Sequence, residues 1–174
     1  MKGCVHVYTG NGKGKTTCAV GLLVRALGAG LRCLLVQFVK NAPTGELVSL
    51  ERLGCPVLRM EGGNCKFTWD MSPQELADYG RCQRRLLERA EAALGSGAYD
   101  LVVLDEALGA VHGGFLPLAA LEALVDGRPA GVELVLTGRN APPSLVERAD
   151  YVTEMQPVKH PMDQGIMARK GIEF

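Results

Sequence analysis

Residues 9–17 read TGNGKGKTT, with glycine at 10, 12 and 14 and lysine at 13 and 15. Backbone N–H groups in such a loop can converge as a nest for anionic oxygens. A helix that starts at its end adds the partial positive charge of its N-terminus. Lys15 supplies a point charge, and Thr16 a hydroxyl suited to a hard cation such as Mg²⁺ or Mn²⁺. The pattern is that of a P-loop, G-x-x-x-x-G-K-[ST], with two departures. Thr9 stands at the place of the first glycine, and Lys13 is an added lysine. The candidate nucleotide-binding residues are Gly10, Asn11, Gly12, Lys13, Gly14, Lys15, Thr16 and Thr17.

Two acids complete the chemistry such a loop requires. The apolar run DLVVLDE, residues 100–106, ends in Asp105 and Glu106. One acid can hold the metal with Thr16, directly or through water, while the other positions a reactant. Thr16, Asp105 and Glu106 are the candidate metal ligands, and Lys15 and Glu106 the candidate catalytic residues. Arg139, in LTGRN, follows a strand whose end faces the same rim, where it reads either as a grip on a terminal phosphate or as a surface arginine. Arg25 falls in the middle of the helix after the loop and reads as structural or as part of the rim.

These groups need elements to position them. GCVHVYT (3–9) reads as a strand, and TTCAVGLLVRALGAG (16–30) as a helix with Leu22, Leu23, Ala26 and Leu27 on one face. Further strands are expected at 31–38, 57–60, 100–106, 132–138 and 151–155, with helices at 45–54, 116–125 and 143–149. Ser72-Pro73-Gln74-Glu75 has the form of a capping box with proline in the first turn, opening a helix to about Leu94. Residues 61–70 and the glycine-rich 107–114, His112 included, read as loops. The tail after Met155 has no clear period.

Apolar strands alternating with helices predict an α/β fold with a mostly parallel sheet of about six strands covered on both faces, the P-loop NTPase (RecA-like) arrangement. Ligands in such sheets bind beyond the carboxyl ends of the strands. The glycine loop, Asp105-Glu106, the TGR of 137–139 and the stretch VQF (36–38) all converge on that rim.

Bulk properties bound the reading. The 174 residues suit one domain, 1–174. Lysine plus arginine equals aspartate plus glutamate at 19 each, so nothing in the charge balance calls for a nucleic acid or a membrane surface. No stretch has the form of a signal peptide or a membrane span. The six cysteines form no C-x-x-C pair, and they read as reduced, buried residues of a cytoplasmic protein.

Several pieces together resemble one family: GNGKGKTT (10–17), VQF.K (36–40), FTW (67–69), VVLDE (102–106), LPL (116–118), LTGR (136–139) and PVKH..D.G..A..GIE (157–173). They are similar to the P-loop type of ATP:corrinoid adenosyltransferase, also called cob(I)yrinic acid a,c-diamide adenosyltransferase. The resemblance implies transfer of the 5′-deoxyadenosyl group of ATP to Co(I) of a corrinoid, with release of triphosphate, in adenosylcobalamin biosynthesis or corrinoid salvage. It implies a cradle holding a departing triphosphate rather than presenting a γ-phosphoryl group, which explains the added lysine and removes the need for the first glycine. Glu106 then matches the family's metal-linked acid. Phe67 and Trp69 match an aromatic pair that displaces the lower axial ligand of Co(II) corrinoid and eases its reduction. A flavoprotein-type reductant and a homodimer are the implied partners.

Two departures from that pattern stand out. The chain starts almost at its first strand, so corrinoid covering by a longer N-terminal segment is expected to be lost or supplied otherwise. ALGAVHGG (107–114) is smaller than the residues relatives carry there, which bears on corrinoid choice. The alternatives are a RecA-like ATPase, with Glu106 positioning water and ADP and phosphate as products, and a non-catalytic nucleotide- or corrinoid-binding module.

Overall fold

A computed structural model describes residues 2–40, 42–60 and 68–173. The strands are β1 (Val5–Thr9), β2 (Cys33–Gln37), β3 (Val57–Arg59), β4 (Leu101–Asp105), β5 (Glu133–Thr137) and β6 (Tyr151–Glu154). The helices are α1 (Lys15–Gly28), α2 (Gly45–Arg52), α3 (Pro73–Gly95), α4 (Ala107–His112), α5 (Leu118–Gly127) and α6 (Pro143–Arg148). The six strands form one sheet in the order β3-β2-β4-β5-β1-β6. Every pairing is parallel, so the expected mostly parallel sheet is parallel throughout.

Burial follows from the alternation of side chains along a strand. In β4, Leu101 and Val103 face one way and pack with Ala19, Leu23 and Ala26 of α1 and Leu50 of α2. Val102 and Leu104 face the other way, against Leu86, Leu87 and Ala90 of α3, Leu108 of α4 and Leu121 of α5. Both faces of β4 are therefore dry, which is why its sequence is a continuous apolar run. Each leucine buried this way contributes about 1.5–3 kcal/mol.

The capping box forms as its sequence foretells. Ser72 Oγ accepts from Glu75 N–H at 3.3 Å, and Glu75 Oε2 accepts from Ser72 N–H at 2.8 Å. Two expectations are corrected. Residues 107–112 are the short helix α4 rather than loop, and His112 is its last, exposed residue. Of the cysteines, Cys33 and Cys55 are buried and Cys18 is exposed, while all five described cysteines are free.

No helix among the described residues is long and apolar enough to cross a membrane.

Candidate active site

Residue 9 is still strand: Thr9 pairs with Glu154 of β6, and its Oγ1 accepts the Ala141 N–H at 3.3 Å. The chain first turns left-handed at Gly10, with φ 95°. A glycine at position 9 would thus have no conformational role, and threonine there ties the loop to the end of β5's neighbourhood instead. Gly10 and Gly12 press on the chain after β6, where an added Cβ would meet the Met155 carbonyl oxygen at 2.5 and 2.7 Å. Gly12 N–H donates to that same oxygen at 2.7 Å. Glycine is required at both positions by close approach.

Helix α1 begins at Lys15 with no side-chain cap and no acid in its first turn, leaving its positive end to a ligand. The Lys15 ammonium is folded into the loop, donating to Gly10 O at 2.7 Å and Gly12 O at 2.8 Å. Burial lowers its pKa, partly offset by Glu106.

Asp105 is fully buried, and both of its oxygens are engaged. Oδ1 accepts from Thr16 Oγ1 at 2.8 Å and Thr137 Oγ1 at 2.7 Å. Oδ2 accepts from Lys40 Nζ at 2.9 Å and, more weakly, from Gln37 Nε2 at 3.4 Å. Lys40 Nζ also donates to Thr16 Oγ1 at 3.0 Å. Glu106 has a left-handed backbone, φ 58°, with its N–H donating to Thr137 Oγ1 at 2.9 Å. Its carboxylate reaches over α4, where a Cβ on Gly109 would meet Oε2 at 2.7 Å. Burial raises the Glu106 pKa, and the neighbouring Asp105 adds to the rise against Lys40, Lys15 and Arg139.

These groups open on a cavity of about 680 Å³ at the carboxyl ends of the strands. Its wall brings together Asn11, Gly12, Lys13, Gly14, Lys15, Thr16, Thr17, Glu106 and Arg139. Gly10 holds the turn behind them, and Asp105 lies beneath Thr16. Trp69 sits in a single turn of 3₁₀ helix, Thr68–Asp70, about three-quarters exposed and outside that wall. Phe67 lies outside the described residues.

Sequence reasoning missed two contributors. Lys40 was legible only as one letter of VQF.K, with no role. The aperiodic tail returns to the cavity with His160, Gly171, Ile172 and Glu173, and Glu173 Oε1 accepts from Lys13 Nζ at 3.1 Å. The pairing of GIE with the glycine loop could be found only from a resemblance that joins both ends of the chain.

The fit to a divalent cation rests on donor chemistry. Among the described residues, no group of three or more His, Cys, Asp or Glu is arranged to hold a metal. Thr16 and Asp105 instead offer two hard oxygens bridged by the Lys40 ammonium, so a positive charge already suits the place. That is the partial set expected for Mg²⁺, which takes its other ligands from phosphates and water.

A Lys-Thr loop between β1 and α1, with a buried acid at the end of the central strand β4, defines a P-loop nucleoside-triphosphate-binding protein. The sequence model of the ATP:corrinoid adenosyltransferase BtuR/CobO/CobP family matches residues 1–174. The chain is 38% identical to a corrinoid adenosyltransferase of Escherichia coli over 174 residues, covering 99% of this chain and 86% of the relative. It is 40% identical over 181 residues to one of Pseudomonas aeruginosa, covering 99% and 84%, and 37% identical over 174 residues to the corrinoid adenosyltransferase CobA of Salmonella typhimurium, covering 99% and 86%. The chain belongs to the ATP:corrinoid adenosyltransferase family.

Proposed function

We propose that the protein transfers the 5′-deoxyadenosyl group of ATP to Co(I) of a corrinoid and releases intact triphosphate. The carrying observation is the cradle itself, gathered with Lys13, Lys15, Lys40 and Arg139 on one cavity, in a chain matched to this family over its whole length. Co(I) is an electron-rich nucleophile that attacks the ribose C5′. Its electron pair becomes the Co–C bond, and the C5′–O bond breaks with its electrons kept by the departing oxygen. No proton leaves the nucleophile, so no general base is called for. What remains for the protein is to fix C5′ against cobalt and stabilise charge on the triphosphate.

In this reading Gly12, Gly14 and Thr17 supply the loop and helix end that receive the phosphates. Lys15 leaves the Gly10 and Gly12 carbonyls to meet them, and Arg139 closes on the far phosphate. Asn11 and Lys13 contact the nucleoside or the chain of phosphates. Thr16, Asp105 and Glu106 would hold Mg²⁺ or Mn²⁺, which supplies Lewis-acid neutralisation of the phosphate oxygens when bound. Trp69, a large exposed aromatic, suits a corrinoid face, with Phe67 beside it in sequence. A flavoprotein-type reductant would deliver the electron that makes Co(I). The exposed apolar residues Tyr151 and Val152 on the edge strand β6 suit a homodimer, and the free cysteines suit a reducing cytoplasm.

The test is to supply ATP, Mg²⁺ and chemically reduced cobalamin, follow cobalt alkylation by its visible spectrum, and resolve the phosphorus products. A cobalt–carbon bond formed with one triphosphate per turnover is expected. ADP and orthophosphate without alkylation would instead identify an ATPase.

A further inference from the structure

Lys40 is held in place by more machinery than a surface lysine needs. It follows Val39, whose φ is 63°, a backbone region a β-branched residue rarely enters. Lys40 N–H closes a tight turn onto Phe38 O at 2.6 Å. Both polar groups of Val39 are gripped by α3: Tyr79 Oη donates to its carbonyl at 2.8 Å, and its N–H donates to Gln83 Oε1 at 3.3 Å. Gln83 is fully buried and Tyr79 nearly so, on a helix face that otherwise carries leucine, alanine and glycine. The Lys40 carbonyl is held in turn by Arg59 of β3 at 3.1 Å.

Burying a glutamine and a tyrosine hydroxyl gains little net stability, because each bond only replaces one to water. A strained residue clamped beside a ligand cavity is commonly tied to function. The outcome of the clamp is geometric. It aims the Lys40 ammonium, about one-third exposed, at Thr16 Oγ1 on the cavity wall and at Asp105 Oδ2 beneath it.

We propose that Lys40 is a ligand of the leaving triphosphate, and that Tyr79 and Gln83 are positioning residues that act through it by holding Val39 left-handed. This rests on the reading that triphosphate departs intact. A divalent cation arriving with the nucleotide would claim the oxygens of Thr16 and Asp105. The displaced ammonium then has the phosphates as the anions within its reach. Lys40 follows β2 and Arg139 follows β5, the strands on either side of β4, so the two cations flank the acids at the end of β4. Because α3 opens directly after the Trp69 turn, the clamp also joins the corrinoid-side loop to the phosphate site through one rigid helix.

The experiment is calorimetric titration with inorganic tripolyphosphate and Mg²⁺, using the full chain. Lys40→Met, and Lys40→Gln as a second variant, are expected to bind it about 10–100-fold more weakly, the range for losing one charged hydrogen bond. Tyr79→Phe is expected to weaken it several-fold in the wild-type background and to have no further effect when Lys40 is already Met. In turnover, Tyr79→Phe should lower kcat with the KM for corrinoid unchanged. Wild-type protein that binds tripolyphosphate together with a Lys40→Met variant that binds it equally well overturns the proposal alone. A Tyr79→Phe effect that persists in full on Lys40→Met overturns the positioning role. Wild-type protein that fails to bind tripolyphosphate overturns the adenosyl-transfer reading, and this proposal with it.

Discussion

Val39, Glu106 and Asn140 are the non-glycine residues with left-handed backbone among those described, at φ 63°, 58° and 55°. Each lies just past the carboxyl end of a strand, after β2, β4 and β5 in turn. Such conformations cost roughly 1–3 kcal/mol apiece and persist only where surroundings impose them. At Glu106 the surroundings are Thr137, which takes its N–H, and the close packing of Gly109 under its carboxylate. The result is an acid half-buried among cations, with its pKa raised chiefly by burial. The sign of its stability effect follows. A raised pKa means that the fold prefers the protonated form, so the contribution is favourable at low pH and is lost as pH rises through the folded value. Glu106→Gln should therefore melt higher than wild type near pH 7.5. The gap should close as pH is lowered and wild-type Glu106 takes up its proton. The same variant should lose cobalt alkylation by about 100-fold or more. Higher melting combined with lost turnover would mark strain kept for chemistry; lower melting at pH 7.5 would show that the carboxylate stabilises the fold.

At the scale of elements, the neighbouring strands β2 and β4 are tied at their starts by an exposed pair. Arg32, just before β2, donates to Asp100, just before β4, through Nε at 3.0 Å and Nη2 at 2.7 Å, and its N–H donates to Oδ2 at 2.8 Å. The Arg32 side-chain bonds, then its backbone bond, hold Asp100 down at about 2. A depressed acid contributes stability above its unfolded pKa of about 4 and loses it as pH falls through the folded value. Arg32→Met should thus lower the melting temperature by a constant amount at pH 5–8, and the difference should vanish as pH approaches 2. A difference independent of pH down to 2 would assign the effect to packing of the arginine stem instead. Most elements could be read directly, because continuous apolar strands, the amphipathic α1 and the Ser72–Glu75 cap are local signals. Helix α4 could not: ALGAVH is under two turns, contains glycine, and is set by packing of Leu108 and Gly109 against the end of β5. Within the site, the cradle, Asp105, Glu106 and Arg139 were visible as residue types at strand ends. Lys40 was not, since its direction is fixed by Tyr79 and Gln83, about forty residues further along the chain.

Across the whole molecule, the two ends of the chain meet at one place. The glycine loop opens the fold after β1, and the tail beyond β6 returns to it. Glu173 joins the Lys13 ammonium to Arg169, whose Nη2 donates to Glu173 Oε1 at 3.1 Å. The Arg169 bonds dominate in holding the Glu173 carboxyl down at about 2, with Lys13 a lesser cause. Residues 161–173 are all exposed, so the tail buries little apolar area and adds little to global stability. Its value must then lie at the cavity, where Gly171, Ile172 and Glu173 form part of the wall and Lys13 is kept from folding away into solvent. Truncation after Gln164 separates these two contributions. The melting temperature should stay within about 2 °C, as expected for removal of exposed chain. The KM for ATP should rise several-fold while the KM for corrinoid stays close to that of wild type, because the lost wall belongs to the nucleotide side. A truncated protein with normal KM for ATP would show that the tail merely rests on the cradle. One that melts far lower would show that its docking helps close the parallel sheet along β6 and β1.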